Sequence, residues 1–254
     1  MKITFLGTGT SQGVPVILCD CPVCQSVDYR DQRLRTSIHL EVDGLSLVID
    51  TGPDFRQQML REQIQRVDAL LFTHQHKDHT AGLDDIRPYY FHRQNDMPVY
   101  AQEEVIEHLA QEFSYMFEEK RYPGVAGLEI HAIDQAPFTI GTTEITPIEV
   151  LHFQLPVLGF RIHDFTYITD ANYISEVELE KVMGSEVLVI NALQKEDHHS
   201  HFTLQEAIEI SKKAQVKQTY LTHISHRMGR HAEVEGELPE NIKLAYDGLR
   251  LNLS

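Results

Sequence analysis

The segment Val67-Asp68-Ala69-Leu70-Leu71-Phe72-Thr73-His74-Gln75-His76-Lys77-Asp78-His79 decides the fold. Its first six residues are an apolar run of the kind that forms a buried strand. Three imidazoles and one carboxylate follow within six positions, 74 to 79. Next come Thr80-Ala81-Gly82 and a helical pattern from Leu83. The ligand-type side chains are therefore expected on a short loop between a buried strand and a helix. Such a loop is rigid and lets them converge on one point. Histidine nitrogen with carboxylate oxygen suits zinc, manganese or iron. The stretch reads as a metal site rather than a solvated polar loop.

The chain has 254 residues, a net charge of −16 with histidine neutral, 15 histidines and three cysteines. This length suits a single domain over 1–254 with a sizeable core. No apolar run is long enough to span a membrane. The apolar core of Met1–Gly7 is too short for a signal peptide, so a cytoplasmic protein without a membrane partner is expected. Such a negative surface repels long polyanions, which disfavours nucleic acid as a partner but leaves room for a small phosphate ester held by metal ions. Cys19, Cys21 and Cys24 form a C-x-C-x2-C cluster. An odd number without a signal peptide argues for metal over disulfides. Structural zinc takes four ligands, so the fourth must come from far along the chain.

Lys2–Leu6 reads as a strand ending in the glycine-rich turn Gly7-Thr8-Gly9-Thr10-Ser11-Gln12-Gly13; Pro15 and the cysteines follow it where a dinucleotide loop needs a helix. Strands over 37–42 and 45–49 meet at the hairpin signal Asp43-Gly44. Asp50, just after, either orients a metal-bound histidine or caps a turn. Helices are expected over 55–65, 82–94, 103–119, 175–183 and 204–214. Tyr89, Tyr90, His92 and Arg93 either touch a substrate or line a packed helix. Strands are expected over 128–133, 138–140, 144–150, 158–162, 166–169, 186–191 and 217–221, and a closing hairpin over 242–253. Three strand ends carry further donors, His152, Asp170 and His223, and His201 stands before a helix. His198 and His199 are expected in solvent. The order of elements suits two sheets packed face to face with helices outside. Seven donors, His74, His76, Asp78, His79, His152, Asp170 and His223, suit two ions sharing a carboxylate and a water, and hence hydrolysis.

At these residues the chain resembles the metallo-β-lactamase superfamily, through H-x-H-x-D-H at His74–His79 and the order of His152, Asp170 and His223. It is most similar to the phosphodiesterase branch that includes the phosphoribosyl cyclic phosphate phosphodiesterase of phosphonate breakdown. That likeness rests on Gly7-Thr8-Gly9, Gln12-Gly13-Val14-Pro15, the cysteine cluster and Leu221-Thr222-His223-Ile224-Ser225-His226. The resemblance implies an α/β fold, the four-layer αββα sandwich. It implies two divalent ions, zinc or manganese: one on His74, His76 and His152, the other on Asp78, His79 and His223, with Asp170 bridging. Cys19, Cys21, Cys24 and His226 would hold a separate structural zinc. Asp78 and His201 are the catalytic candidates, His201 contacting the substrate phosphate or protonating the leaving oxygen. The expected activity is phosphodiester hydrolysis on a small, possibly cyclic, phosphate ester by a homodimer. A tRNA 3′-end processing nuclease, a lactone or thioester hydrolase, and a non-catalytic cofactor-biosynthesis factor are the alternatives.

Overall fold

A computed structural model describes residues 1–118, 120 and 122–253. The chain divides into two compact units. The first comprises Met1–Leu6, Ser37–Asp134 and the residues from Arg250; the second comprises Gly7–Thr36 and Gln135–Leu249.

The first unit is built on a seven-stranded sheet. Its strands are Lys2–Gly7 (β1), Ser37–Val42 (β2), Leu45–Ile49 (β3), Ala69–Leu71 (β4), Met97–Ala101 (β5), Leu128–Ala132 (β6) and Arg250–Asn252 (β15), in the spatial order β15-β1-β2-β3-β4-β5-β6. β3 to β6 run parallel. The hairpin of β2 and β3 turns at Asp43 and Gly44, both with positive φ, as the dipeptide signal requires. β4 is the short buried strand expected before the histidine motif. It is wholly buried, as strands in the parallel part of a covered sheet are.

The helices are Phe55–Glu62 (α1), Lys77–Thr80 (α2), Arg87–Arg93 (α3), Glu103–Glu112 (α4) and Ser114–Phe117 (α5). Phe55, Met59, Val105, Leu109 and Met116 from these helices pack with Val48, Leu70 and Val99 of the sheet. The helix expected over 82–94 is instead a 3-10 turn, Leu83–Ile86, followed by α3. Pro88 explains the restart, because it has no N–H for a continuous helix and fits only the first turn. The helix expected over 103–119 breaks at Phe113, which leaves helical geometry at φ −116° and ψ 39°; Glu119 lies outside the described residues. α1 ends earlier than expected, where Gln63 turns left-handed at φ 56°.

The second unit has an eight-stranded sheet. Its strands are Phe138–Ile140 (β7), Thr143–His152 (β8), Leu155–Ile162 (β9), Phe165–Tyr167 (β10), Tyr173–Ile174 (β11), Val187–Asn191 (β12), Gln218–Thr222 (β13) and Ile242–Leu244 (β14). The order is β11-β8-β9-β10-β12-β13-β14, and β7 pairs with β8. β10, β12, β13 and β14 are parallel neighbours, so their four ends point the same way. Glu176–Val182 (α6), Leu204–Ala214 (α7) and His231–Glu235 (α8) complete the unit. α7 has the bounds read from sequence, and a capping box between Thr203 and Glu206 fixes its start. Leu179, Val182, Ala207, Ile210 and Ala214 join Val150, Leu188 and Ile190 in the core.

The closing hairpin expected over 242–253 is not formed. β14 lies parallel to β13, whereas β15 lies antiparallel to β1 in the other sheet. A turn signal at Asp247-Gly248 reports the local bend, but each flanking strand pairs with the sheet edge that it can cover.

His39 on β2 makes this fold sensitive to acid. Its Nε2 donates to Ser46 Oγ at 2.7 Å, and Ser46 Oγ donates onward to the Arg66 carbonyl. His39 Nδ1 is buried and has no hydrogen-bond partner among the described residues. Burial pushes the imidazole from 6.5 down to about 4. The unfolded chain therefore binds the extra proton first, and stability falls as pH drops from about 6.5 through about 4. We expect His39→Leu to flatten this loss by up to about 3 kcal/mol, read as a smaller difference in denaturant midpoint between pH 7 and pH 4.5.

Candidate metal centre

In the first unit the histidine motif starts in a loop and continues into α2. Asp78 and His79 thus sit on a one-turn helix, not on the loop expected. His74 and His79 are fully buried. Asp50 follows β3 with its backbone in the left-handed region, φ 66°, where aspartate is tolerated better than most residues. That bend turns its carboxylate back toward the motif. Asp50 Oδ1 accepts the Thr73 N–H at 2.9 Å, and Oδ2 accepts the Thr73 hydroxyl at 2.8 Å and faces His79 Nδ1 at 2.7 Å. Burial pushes the Asp50 carboxyl up, while His79 and Thr73 hold it down.

These bonds fix which nitrogen of each ring is available. With Asp50 taking the Nδ1–H of His79, the lone pair lies on Nε2. Thr73 spends its own hydroxyl proton on Asp50 and so accepts from His74 Nδ1 at 3.0 Å, which again leaves Nε2. His74 Nε2 and His76 Nδ1 are 3.0 Å apart, and His79 Nε2 is 3.2 Å from Asp78 Oδ2. Donor atoms so spaced fit neighbouring corners around an ion held at about 2.0–2.1 Å from nitrogen. Asp50 is therefore the orienting residue and not merely a turn aspartate.

The turn after Asp50 also grips the motif helix. Thr51 N–H donates to the His79 carbonyl and Gly82 N–H to the Thr51 carbonyl, each at 2.8 Å. A Cβ on Gly82 would lie 2.1 Å from the Gly52 oxygen, so only glycine permits this approach. Tyr89 and Arg93 serve packing: Tyr89 OH donates to the Ile64 carbonyl and Arg93 to those of Val67 and Asp68.

In the second unit the donors again stand at strand ends. Asp170 and His223 follow β10 and β13 with φ of 55° and 54°. Asp170 Oδ1 is 3.1 Å from both His223 Nε2 and His201 Nε2, and the Thr169 hydroxyl donates to Oδ2 at 2.7 Å. His152 ends β8, and its Nδ1 donates to the Ser200 carbonyl at 2.8 Å, leaving Nε2. The donor atoms of His152, Asp170 and His201 lie within 4.8 Å of one another. Burial pushes the His201 imidazole down to about 4, although the Asp170 hydrogen bond opposes this. His198 corrects the sequence reading: it is half-buried, with Nδ1 3.3 Å from both Ser200 Oγ and His201 Nδ1, whereas His199 is exposed. Sequence reasoning also assigned no role to Thr73 or Ser200. Thr73 lay inside the quoted motif; Ser200 acts through its carbonyl, which leaves no side-chain signal.

A separate cluster in this unit brings together Cys19, Cys21, Cys24 and His226. His226 Nδ1 lies 3.2, 3.4 and 3.6 Å from the three sulfurs. One ring nitrogen cannot donate to three acceptors, but tetrahedral zinc places nitrogen and sulfur about 3.5 Å apart. The Cys24 N–H donating to Cys21 Sγ pulls that thiol down to about 6, while burial pushes the Cys24 thiol up to about 11. A bound dication would draw all three to thiolates. The glycine-rich turn supports this loop: Ile224, between His223 and His226, donates to the Thr8 carbonyl and accepts from Thr10 N–H. A Cβ on Gly9 would meet Arg33 backbone at 2.9 Å, which explains the glycine.

Residues 46–224 match the family model of the β-lactamase superfamily domain. The chain belongs to that superfamily. Its two-sheet α/β architecture is the metallo-β-lactamase fold. A solved diphosphatase of the PhnP family is 40% identical with a TM-score of 0.92, over 98% of this chain and 96% of that one. An octanoyltransferase of Porphyromonas gingivalis is 37% identical over 98% of this chain, and the chain spans 51% of that protein's length. A ribonuclease Z of Borreliella burgdorferi is 24% identical over 86% of this chain and 91% of that protein.

Asp50→Asn keeps the shape of the bend and removes the carboxylate. It should weaken divalent-ion binding about 10–100-fold, as read by chelator competition.

Proposed function

We propose that this metallo-β-lactamase-fold chain is a metal-dependent hydrolase that cleaves a small phosphodiester, cyclic esters included. The observation that carries the reading is the near full-length likeness to a PhnP-family diphosphatase at 40% identity. Cleavage of a phosphodiester and of a diphosphate at its ester-bearing phosphorus share one step: water attacks a disubstituted phosphorus, a new P–O bond forms and the P–O bond to the leaving group breaks.

The reading assigns His74, His76 and His152 to one divalent ion, Asp78, His79 and His223 to a second, and Asp170 to both. It assigns Cys19, Cys21, Cys24 and His226 to a zinc that stiffens the loop carrying His223. Bound zinc or manganese supplies Lewis acidity toward phosphoryl oxygens and makes water acidic near neutral pH. The chain does the rest. Asp50 and the Ser200 carbonyl hold His79 and His152 in the tautomer that offers Nε2. His201, whose Nε2 lies 3.1 Å from Asp170 Oδ1, is assigned the leaving-group side on its resemblance to the phosphodiesterase branch. There it contacts the phosphate or hands a proton to the departing oxygen. A homodimer and a cytoplasmic location belong to the same reading.

A ribonuclease Z activity is the second reading, favoured by that relative's match over most of its length. The charge of −16 opposes it, since a tRNA would meet net repulsion. Transfer of an octanoyl group is named only by a relative of which this chain spans half.

The test is a panel of cyclic phosphodiesters, nucleoside diphosphates, a precursor tRNA at several salt concentrations and an octanoyl thioester, each with zinc or manganese. Turnover of small diesters is expected to exceed the others. Preferred cleavage of tRNA or of the thioester would overturn the reading. His201→Ala should lower kcat about 10²–10⁴-fold with metal content intact, and loss of metal would make His201 a ligand instead.

A further inference from the structure

The segment after β10 is tied to the end of β12 by one buried side chain that no metal and no substrate needs to touch, and backbone bonds carry the junction on to β13. Asn191, the last residue of β12, is fully buried. Its Oδ1 accepts the Ala171 N–H at 2.8 Å, and its Nδ2 donates to the Ala171 carbonyl at 2.9 Å. The side-chain amide thus does what a neighbouring peptide would do, at the point where Asp170 turns left-handed.

Three donor-bearing segments meet there. Ala171 directly follows Asp170. The Ala171 carbonyl also accepts the Phe202 N–H at 2.6 Å, and Phe202 directly follows His201. Asn191 lies opposite Thr222 in the parallel ladder, Ala192 N–H donates to the Thr222 carbonyl at 2.9 Å, and His223 comes next. Each of Asp170, His201 and His223 is therefore one residue from a backbone group fixed at this junction.

We propose that Asn191 is a positioning residue for the Asp170, His201 and His223 donor set. It acts through backbone alone and is not a ligand. The proposal rests on the reading that Asp170 and His223 hold metal, and not on the identity of the substrate. Asparagine suits the place because its amide offers a donor and an acceptor at one length. Aspartate has the same shape, but when ionised it sets a second acceptor against the Ala171 carbonyl. When protonated, it regains an O–H donor and restores the pair. Burial raises the pKa of such a carboxyl, which brings the change into a working pH range.

The test is zinc affinity of the His/Asp donors, by chelator competition between pH 5.5 and pH 8. Wild type, Asn191→Asp and Asn191→Ala are compared, each with the cysteine site already filled. At pH 8 both variants should bind about 10–100-fold more weakly than wild type. The deficit of Asn191→Asp relative to wild type should shrink as pH falls, whereas that of Asn191→Ala should stay constant. Wild-type affinity in either variant at pH 8, or a deficit in Asn191→Asp as flat with pH as that of Asn191→Ala, overturns the proposal. Should Asn191→Asp fail to fold, Asn191→Ala alone decides, because unchanged zinc affinity in it rejects the role. Wild-type protein that binds no zinc outside the cysteine cluster would overturn the metal reading itself, and this proposal with it.

Discussion

Ionisable side chains buried close together are the constraint that organises this molecule, and a bound cation would relieve it. His74, His79, Asp170 and His223 are all nearly or fully excluded from solvent. An ionised side chain in such a low-dielectric region costs several kcal/mol unless opposite charge or hydrogen bonds compensate. Cys21 and Cys24 are half-buried, and their thiols are driven apart, toward about 6 by the Cys24 N–H and toward about 11 by burial. Divalent ions would satisfy both sets of donors, and the spacing of the donor atoms within each cluster matches coordination distances.

The backbone carries the rest of the design. Parallel strands deliver their ends on one side, and the residues that follow must bend sharply to turn a side chain inward. Asp50, Asp170 and His223 do so in the left-handed region. Aspartate and histidine visit that region more readily than most residues, and packing and hydrogen bonds hold them in it. Glycines are placed where a neighbouring backbone passes too close for a Cβ, as at Gly9 and Gly82.

Much of this was legible in the sequence, for identifiable reasons. A run of histidines and an aspartate after an apolar strand is a local pattern, so the H-x-H-x-D-H segment and the cysteine cluster could be singled out directly, although the one-turn helix that carries Asp78 and His79 could not. The later donors announced themselves as histidine or aspartate just past a strand. α7 was readable to the residue because its capping box and apolar stripe agree. The closing strands were misread because pairing with a distant sheet edge leaves no trace in neighbouring residues. The break at Phe113 and the restart before Pro88 reflect tertiary packing and one missing N–H. Orienting groups such as the Ser200 carbonyl and the Asn191 amide were invisible, since their role exists only once remote segments meet.

The central claim is that these donor sets exist to hold cations, and elemental analysis of the purified chain tests it most directly. The account predicts about two divalent ions on the His/Asp donors and about one zinc on the cysteines per chain. A chain that stays metal-free at saturating zinc and manganese, with its fold and stability unchanged, would contradict it.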